Sequence, residues 1–178
     1  MPEFEPIDET LKHVGPVVSV YEGRFRAPDG SVLIREIIRH PGAVCVVPII
    51  DGEAVLVRQY RAALDQHLLE IPAGKRDVVD EPPKLTAERE LAEEVGLAAG
   101  SLTLLATFHN TPGFCDEYSH CYLATDCHDV PHDRQGPEEE HMTIERVALE
   151  QVPALIASGD LTDGKTIIGL LMARDHLL

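Results

Sequence analysis

Tryptophan is missing from this chain of 178 residues, and aromatic residues make up only 4% of it. Any stacking platform for a nucleobase is therefore modest. Basic residues are also scarce, with 15 Lys and Arg against 31 Asp and Glu and a formal net charge of −16. That balance argues against a nucleic-acid-binding surface, because a phosphate backbone is held by Lys and Arg. It leaves room for a small phosphorylated ligand held by a few arginines and a metal ion. No run of 18 apolar residues occurs, so no membrane-spanning helix is expected. The opening stretch, MPEFEPIDETLKH, is acidic and polar and does not read as a secretory signal. Cys45, Cys115, Cys121 and Cys127 show no C-x-x-C spacing. They read as reduced thiols of a cytoplasmic protein rather than as a zinc site. Internal repeats and low-complexity tracts are absent as well.

What is present is ordinary apolar content, 44% of residues, enough for one core-bearing domain with a small appended element. Residues 1–12 read as a loose lead-in. Pro16–Arg26 and Ser31–His40 are two β-rich runs joined by the turn Ala27-Pro28-Asp29-Gly30. Two strands alone cannot bury a core, so they must lie against the rest of the chain or a second copy of it. Ala43–Ile50 is a continuous apolar run and reads as a buried strand, with Glu53–Tyr60 its hairpin partner across Asp51-Gly52. Leu68–Pro72, Leu102–Phe108, Ser119–Thr125 and His141–Leu149 read as further strands. Asn110–Glu117 reads as a loop and Cys127–Gly136 as a flexible connection. Glu150–Ser158 and Lys165–His176 read as helices, the last with Ile167, Ile168, Leu171 and Met172 on one side. Strands mixed with a few helices make an α/β sandwich.

The chain is organised around Gly74–Leu97, GKRDVVDEPPKLTAERELAEEVGL. Ala87, Leu91 and Val95 form an apolar stripe at helical spacing. Thr86 is the expected N-cap, the prolines at 82 and 83 suit a helix start, and Gly96 is the expected stop. On this helix Glu90, Glu93 and Glu94 stand at i, i+3 and i+4, so three carboxylates share one face. Like charges at that spacing repel by roughly 0.2–0.5 kcal/mol per pair. A hard divalent cation would compensate them. The plain alternative is a solvated acidic face.

The whole string resembles the Nudix box. Its pattern is Gly, five residues, Glu, seven residues, Arg-Glu, an apolar residue, any residue, Glu-Glu, any residue, Gly and an apolar residue. Glu81, seven residues and Arg89-Glu90-Leu91-Ala92-Glu93-Glu94-Val95-Gly96-Leu97 fit it without exception. One departure stands: six residues, not five, separate Gly74 from Glu81. The extra residue falls in a loop, where insertions are tolerated.

The resemblance implies a Nudix-type α/β/α sandwich with a mixed sheet. It divides the chain into an N-terminal β-strand subdomain at 1–40, exchanged across a homodimer, and a hydrolase domain at 41–178. It implies Glu90, Glu93, Glu94 and the carbonyl of Ala73 as ligands of Mg2+, with Mn2+ a possible substitute. Gly74, Glu81, Arg89 and Gly96 then have structural roles in the box. Arg89 is expected to orient a glutamate through a bidentate pair, Glu81 being its natural partner and an i,i+4 pair with Glu93 the alternative. A catalytic base beside Glu94 is expected in the run Glu138-Glu139-Glu140. The register within that run is open; Glu139 is favoured, with Glu140 next.

Three stretches beyond the box resemble the ADP-ribose pyrophosphatase branch: Val57–Arg61, Leu69–Gly74, and Pro112, fifteen residues past Leu97. They make Arg58, Arg61, Glu70, Gly113, Phe114 and Glu117 the substrate-binding candidates. Arg58 or Arg61 would clamp phosphate, and Glu70 would accept from the adenine amino group or a ribose hydroxyl. The implied reaction is hydrolysis of ADP-ribose to AMP and ribose 5-phosphate. The alternatives are another nucleoside diphosphate sugar, such as GDP-mannose or a UDP-hexose, or a non-catalytic nucleotide sensor.

Overall fold

A computed structural model describes residues 3–131, 134 and 136–177, without the side chains of 137 and 138. The chain divides into two units. The first takes the described residues up to Gly42 together with His109–Tyr118. The second takes Ala43–Phe108 and the described residues from Ser119 onward.

The first unit is an antiparallel meander of β1 (Glu5–Val14), β2 (Ser19–Arg26) and β3 (Val32–Arg39), in that spatial order. The loose lead-in expected for residues 1–12 is thus a ten-residue strand. Its sequence hides this because every residue of β1 is exposed, so no face is marked by apolar alternation. It is an edge strand with bulges between Pro6 and Asp8 and between Leu11 and His13. Cross-strand ion pairs hold it: Arg24 donates to both oxygens of Asp8, at 2.9 and 2.6 Å. Lys12 meets Glu22 at 3.2 Å. His109–Tyr118 is stitched to the end of β3. Ile38 N donates to the Phe114 carbonyl at 2.7 Å, and the Asp116 carboxylate accepts from His40 N at 2.9 Å.

The second unit begins with β4 (Ala43–Ile50), β5 (Glu53–Arg61), β6 (Gln66–Glu70) and β7 (Ala73–Lys75). Helix α1 (Pro83–Val95), β8 (Leu97–Ala98), β9 (Ser101–His109), β10 (Tyr118–Thr125) and β11 (His128–Asp129) follow. Then come α2 (Gly136–Glu140), β12 (Thr143–Ala148), a 3-10 turn at Leu149–Gln151, α3 (Val152–Ser158) and α4 (Gly164–Leu177). The main sheet runs β12-β5-β4-β10-β9, with β6 beside β5 and β7 beside β4. It is mixed, since β4 and β10 are parallel while β4–β5 and β5–β12 are antiparallel. The expected connection at Cys127–Gly136 contains β11, which pairs with β8. The glutamate run at 138–140 falls in the short helix α2.

Period-two alternation sends the strand residues to two cores. Val44, Val46, Val55, Val57 and Tyr122 pack with Ala87, Leu91 and Val95 of α1. Cys45, Val47, Leu56, Cys121 and Leu123 pack with Val152 of α3 and with Leu170 and Ala173 of α4. Helices on both faces of a mixed sheet make the predicted α/β/α sandwich, and the meander is the small β subdomain. Among the described residues no helix is long and apolar enough to cross a membrane.

Two helix details depart from the sequence reading. Helix α1 starts earlier than Thr86: Pro82 holds the N-cap position without a side-chain cap, and Pro83 opens the first turn. A proline there loses no hydrogen bond, because the N–H it lacks would be unpaired in the first turn anyway. Thr86 lies buried inside the turn, its N–H donating to the Pro82 carbonyl at 3.2 Å. Helix α4 buries Thr166, Gly169, Leu170 and Ala173, whereas Leu171 and Met172 stay exposed. Close packing chose the small face. A Cβ on Gly169 would lie 2.9–3.0 Å from Ile71, Cys121 and Val47.

Candidate active site

Strand β7 pairs with β4, Ala73 opposite Cys45 and Gly74 opposite Val44, so the backbone before the box is a fixed edge. Helix α1 lays Glu90 and Glu94 against that edge. Both are buried, 7% and 4% exposed. The Ala73 N–H donates to Glu94 Oε2 at 3.2 Å. A Cβ on residue 74 would sit 1.9 Å from the Glu90 carboxyl carbon, so only glycine lets this carboxylate seat. Gly96 then ends the helix in the left-handed region at φ 65°, its N–H donating to the Ala92 carbonyl at 3.0 Å.

Burial pushes the Glu90 carboxyl up to about 7, against the pull of Arg89 and with added repulsion from Glu93 and Glu139. Burial, then the charge of Glu90, pushes Glu94 up to about 8. Glu139 adds to the rise of both, so it stands in the same electrostatic neighbourhood. Of the three consecutive glutamates, Glu139 is half-buried and Glu140 exposed. The side chain of Glu138 lies outside the described residues.

Arg89 does not make the bidentate fork expected of it. One nitrogen, Nη1, lies 2.8 Å from Glu90 Oε1 and 2.9 Å from Glu93 Oε2. Nη2 is 3.5 Å from Glu81 Oε2, close enough for charge attraction but without a formed hydrogen bond. Arg89 thus gathers three carboxylates, combining the two partners weighed from sequence.

Among the described residues no three His, Cys, Asp or Glu side chains already converge as a closed cation cage. The donors nevertheless fit a hard divalent cation, which takes carboxylate and carbonyl oxygens. Glu90 and Glu94 are desolvated, mutually repelling and seated in a cradle that a Cβ would fill.

Beside them lies a second charged group. Arg61, at the end of β5, donates from Nε to Glu70 Oε1 at 2.7 Å and from Nη2 to Oε2 at 2.6 Å. Lys165 of α4 also reaches Glu70 Oε2 and lies 3.0 Å from Asp163 Oδ2. Glu70 is 1% exposed. Burial pushes its carboxyl up, but Arg61 and Lys165 outweigh that and hold it below the ordinary value. The adenine or ribose contact expected of Glu70 is not available in this geometry, because both oxygens are taken inside the fold. Arg61's charge, by contrast, reaches Glu94 and lowers its carboxyl.

The NUDIX domain pattern matches residues 39–167 of the sequence. The chain belongs to the Nudix hydrolase family. An ADP-ribose pyrophosphatase of Bacillus subtilis (strain 168) is 39% identical over 153 residues, 85% of this chain and 82% of that one. An ADP-ribose pyrophosphatase of Mycobacterium tuberculosis (strain ATCC 25618 / H37Rv) is 36% identical over 170 residues, 95% of this chain and 82% of that one. A crystal structure of an ADP compounds hydrolase superposes with a TM-score of 0.85 over 97% of this chain and 94% of that one. At 23% identity that likeness speaks for the fold.

The remaining sequence candidates of this Nudix chain separate by unit. Arg58 forks onto Glu145 of β12, at 2.6 and 3.1 Å, so its guanidinium already has a carboxylate. Gly113, Phe114 and Glu117 belong to the first unit. There Gly113 and Phe114 line a cavity of about 350 Å³ with Phe25, Arg35, Arg39 and Asp116. Phe114 is 54% exposed and free of core packing.

Three Nudix-site neighbours escaped the sequence reading. Arg134 donates to the Glu94 carbonyl at 3.4 Å and the Met142 carbonyl at 3.0 Å, joining the end of α1 to the segment after Glu139. Nothing local marks that arginine. Asp163 and Lys165 did carry a signal. Asp163 stands three residues before Thr166 at a helix start, the spacing of a side-chain cap. Lys165 puts a cation in the first turn, where the helix dipole disfavours it.

Proposed function

We propose that this chain hydrolyses the pyrophosphate of ADP-ribose to AMP and ribose 5-phosphate. The observation that carries the chemistry is the pair Glu90 and Glu94, desolvated against Ala73 and Gly74 with Glu139 in their field. The substrate follows from the relatives named ADP-ribose pyrophosphatase, supported by Pro112 at its spacing from the box.

Glu90, Glu93, Glu94 and the Ala73 carbonyl would hold Mg2+, with Mn2+ able to serve. When bound, the cation neutralises pyrophosphate oxygens and makes a coordinated water acidic. Glu139 accepts the proton of the attacking water, a role for which a half-buried carboxylate beside two others is suited. Arg61, oriented by its two hydrogen bonds to Glu70, is the candidate to meet the anionic groups of the substrate. The Gly74 cradle keeps Glu90 from swinging away, and Arg89 aligns Glu90 with Glu93.

The first unit shows Phe4, Ile7, Leu11, Val14, Val32 and Ile34 to solvent at 39–64% exposure. We read this apolar sheet as the contact of a homodimer. Sedimentation should give twice the 19.6 kDa of one chain, and deletion of residues 1–40 should give a less active monomer. The four unpaired cysteines suit a reducing, cytoplasmic setting.

A product assay tests the reading. The protein is incubated with Mg2+ and ADP-ribose, GDP-mannose, UDP-glucose, NADH or diadenosine polyphosphate, and products are resolved by mass. AMP plus ribose 5-phosphate, formed fastest from ADP-ribose, supports it. A faster hexose substrate would keep the chemistry and reject the substrate. Ligand binding without any turnover would replace the enzyme with a sensor.

A further inference from the structure

The segment that carries Glu139 approaches its place along the end of α1. His128 and Asp129 of β11 pair with Ala98 and Leu97 of β8, and Val130 N donates to the Gly96 carbonyl at 2.9 Å. The chain thus retraces the exit of the box helix, residue against residue. Arg134 carries this contact into the helix itself, its Nε donating to the Glu94 carbonyl at 3.4 Å. Its Nη1 donates to the Met142 carbonyl at 3.0 Å. One guanidinium therefore holds two main-chain oxygens from separate elements.

Met142 is a fixed point in its own right. Its side chain is 4% exposed and packs in the core that holds Ala87, Leu91 and Val95 of α1. Its N–H donates to the Glu139 carbonyl at 3.3 Å, and Thr143 beside it opens β12 opposite Arg58 of β5. Hydrogen bonds therefore lead from Glu139 to Met142, from Met142 to Arg134, and from Arg134 to Glu94. Arg134 and Met142 form the two sides of a neck, with Glu139 on the chain between them. Tying the ends of such a segment removes conformational freedom from what it carries.

The plain role for such a residue is a helix cap. The last carbonyls of a helix lack partners within it, and a cation there also meets the negative end of the dipole. The Glu94 contact fits that role. The Met142 contact lies outside it, being the shorter of the two and belonging to the entrance of β12. A rigid planar fork of donors can span both oxygens at once, which the compact ammonium of a lysine does less well.

We propose that Arg134 is a positioning residue for the hydrolytic reaction, closing the neck of the Glu139 segment against the end of α1 so that the Glu139 carboxylate stays in reach of the attacking water. This rests on the reading of Glu139 as the base under Proposed function. Arg134 touches no reacting atom and acts through Glu139.

The test uses the full chain with Mg2+ and whichever substrate of the product assay turns over fastest. Arg134→Gln should lower kcat about ten- to a hundredfold, the cost of a base misplaced by about 1 Å, with KM within about twofold of wild type. Mn2+ affinity, read by electron paramagnetic resonance, should also stay within about twofold, because no cation ligand is altered. Arg134→Lys should recover part of the lost kcat. Added to Glu139→Gln, Arg134→Gln should cost less than about twofold more, because the two act in series. An arginine that served stability alone would give the same loss in both backgrounds. Should Arg134→Gln fail to fold, Arg134→Lys takes its place in the same pair of backgrounds. Wild-type kcat in Arg134→Gln, full additivity with Glu139→Gln, or a loss of Mn2+ affinity as large as the loss of kcat would overturn the proposal. Wild-type kcat in Glu139→Gln would overturn the assignment of the base instead, and the proposal with it. Wild-type protein that cleaves no substrate of the panel would overturn the hydrolase reading and both assignments with it.

Discussion

Glu70 and Glu94 are almost equally buried, at 1% and 4% exposure, yet their carboxyls move in opposite directions. Burial pushes both up. At Glu70 two cations answer it, and the group ends below its ordinary value. At Glu94 the partners are a backbone N–H and the distant charge of Arg61, with Glu90 and Glu139 pushing the other way, and the carboxyl rises to about 8. The first belongs to an ion cluster inside the fold, with Arg61, Lys165 and Asp163. The second is a set of mutually repelling anions, the arrangement we propose for a cation site. The exposed carboxylates of the first unit make a third case. Asp8 is lowered, chiefly by its hydrogen bonds from Arg24, although nothing there is buried. A carboxylate inside a fold is thus read from the balance of its partners rather than from burial alone.

The strongest way to break this comparison is Glu94→Gln. It removes one cation donor and keeps the shape, so turnover should fall about a hundredfold or more while the fold persists. Near-normal turnover in that variant would remove Glu94 from the cation site. Gly74→Ala comes next. The new methyl would displace the Glu90 carboxylate, and a misplacement of about 1 Å should lower kcat roughly ten- to a hundredfold. An unchanged kcat would mean that the cradle has no bearing on the chemistry.

A pH series without metal sharpens the same contrast. Glu90 and Glu94 bind protons more tightly folded than unfolded, with values of about 7 and 8 against an ordinary 4.5. Between pH 4.5 and 8 the unfolded chain therefore holds fewer protons, and stability falls as pH rises through that window. The Tm in EDTA should be lower at pH 8 than at pH 5, and the drop should shrink in Glu94→Gln. An equal drop in both proteins would assign it to general charge repulsion. The smallest effect belongs to Asp8→Asn. Its pair is solvent-exposed, so Tm and turnover should both stay within error of wild type. A clear loss of either would show that the exposed strand matters to more than its own sheet.

How much of this was legible beforehand follows from the range of each interaction. The box helix, its glycine stop and its carboxylate face could be read because all three depend on neighbours within a turn or two. The buried strands β4, β5 and β10 could be read because burial on two faces leaves long apolar runs. Strand β1 could not, since an exposed edge has no burial period to display. The short pairing of β8 with β11 could not either, because two residues are too few for a pattern.

The sequence by itself determined the family, the helix that carries Glu90 and Glu94, and the glycine beneath them, because each is written in local spacing. Tertiary structure alone decided which carboxylate each arginine meets. Arg58 and Arg61 lie three residues apart on one strand and look alike in sequence. Arg58 meets a half-exposed Glu145 across β12. Arg61 meets the buried Glu70 that Lys165 shares from 95 residues away. A carboxylate divided between two cations is a long-range fact, and it exists only once α4 has packed against β6.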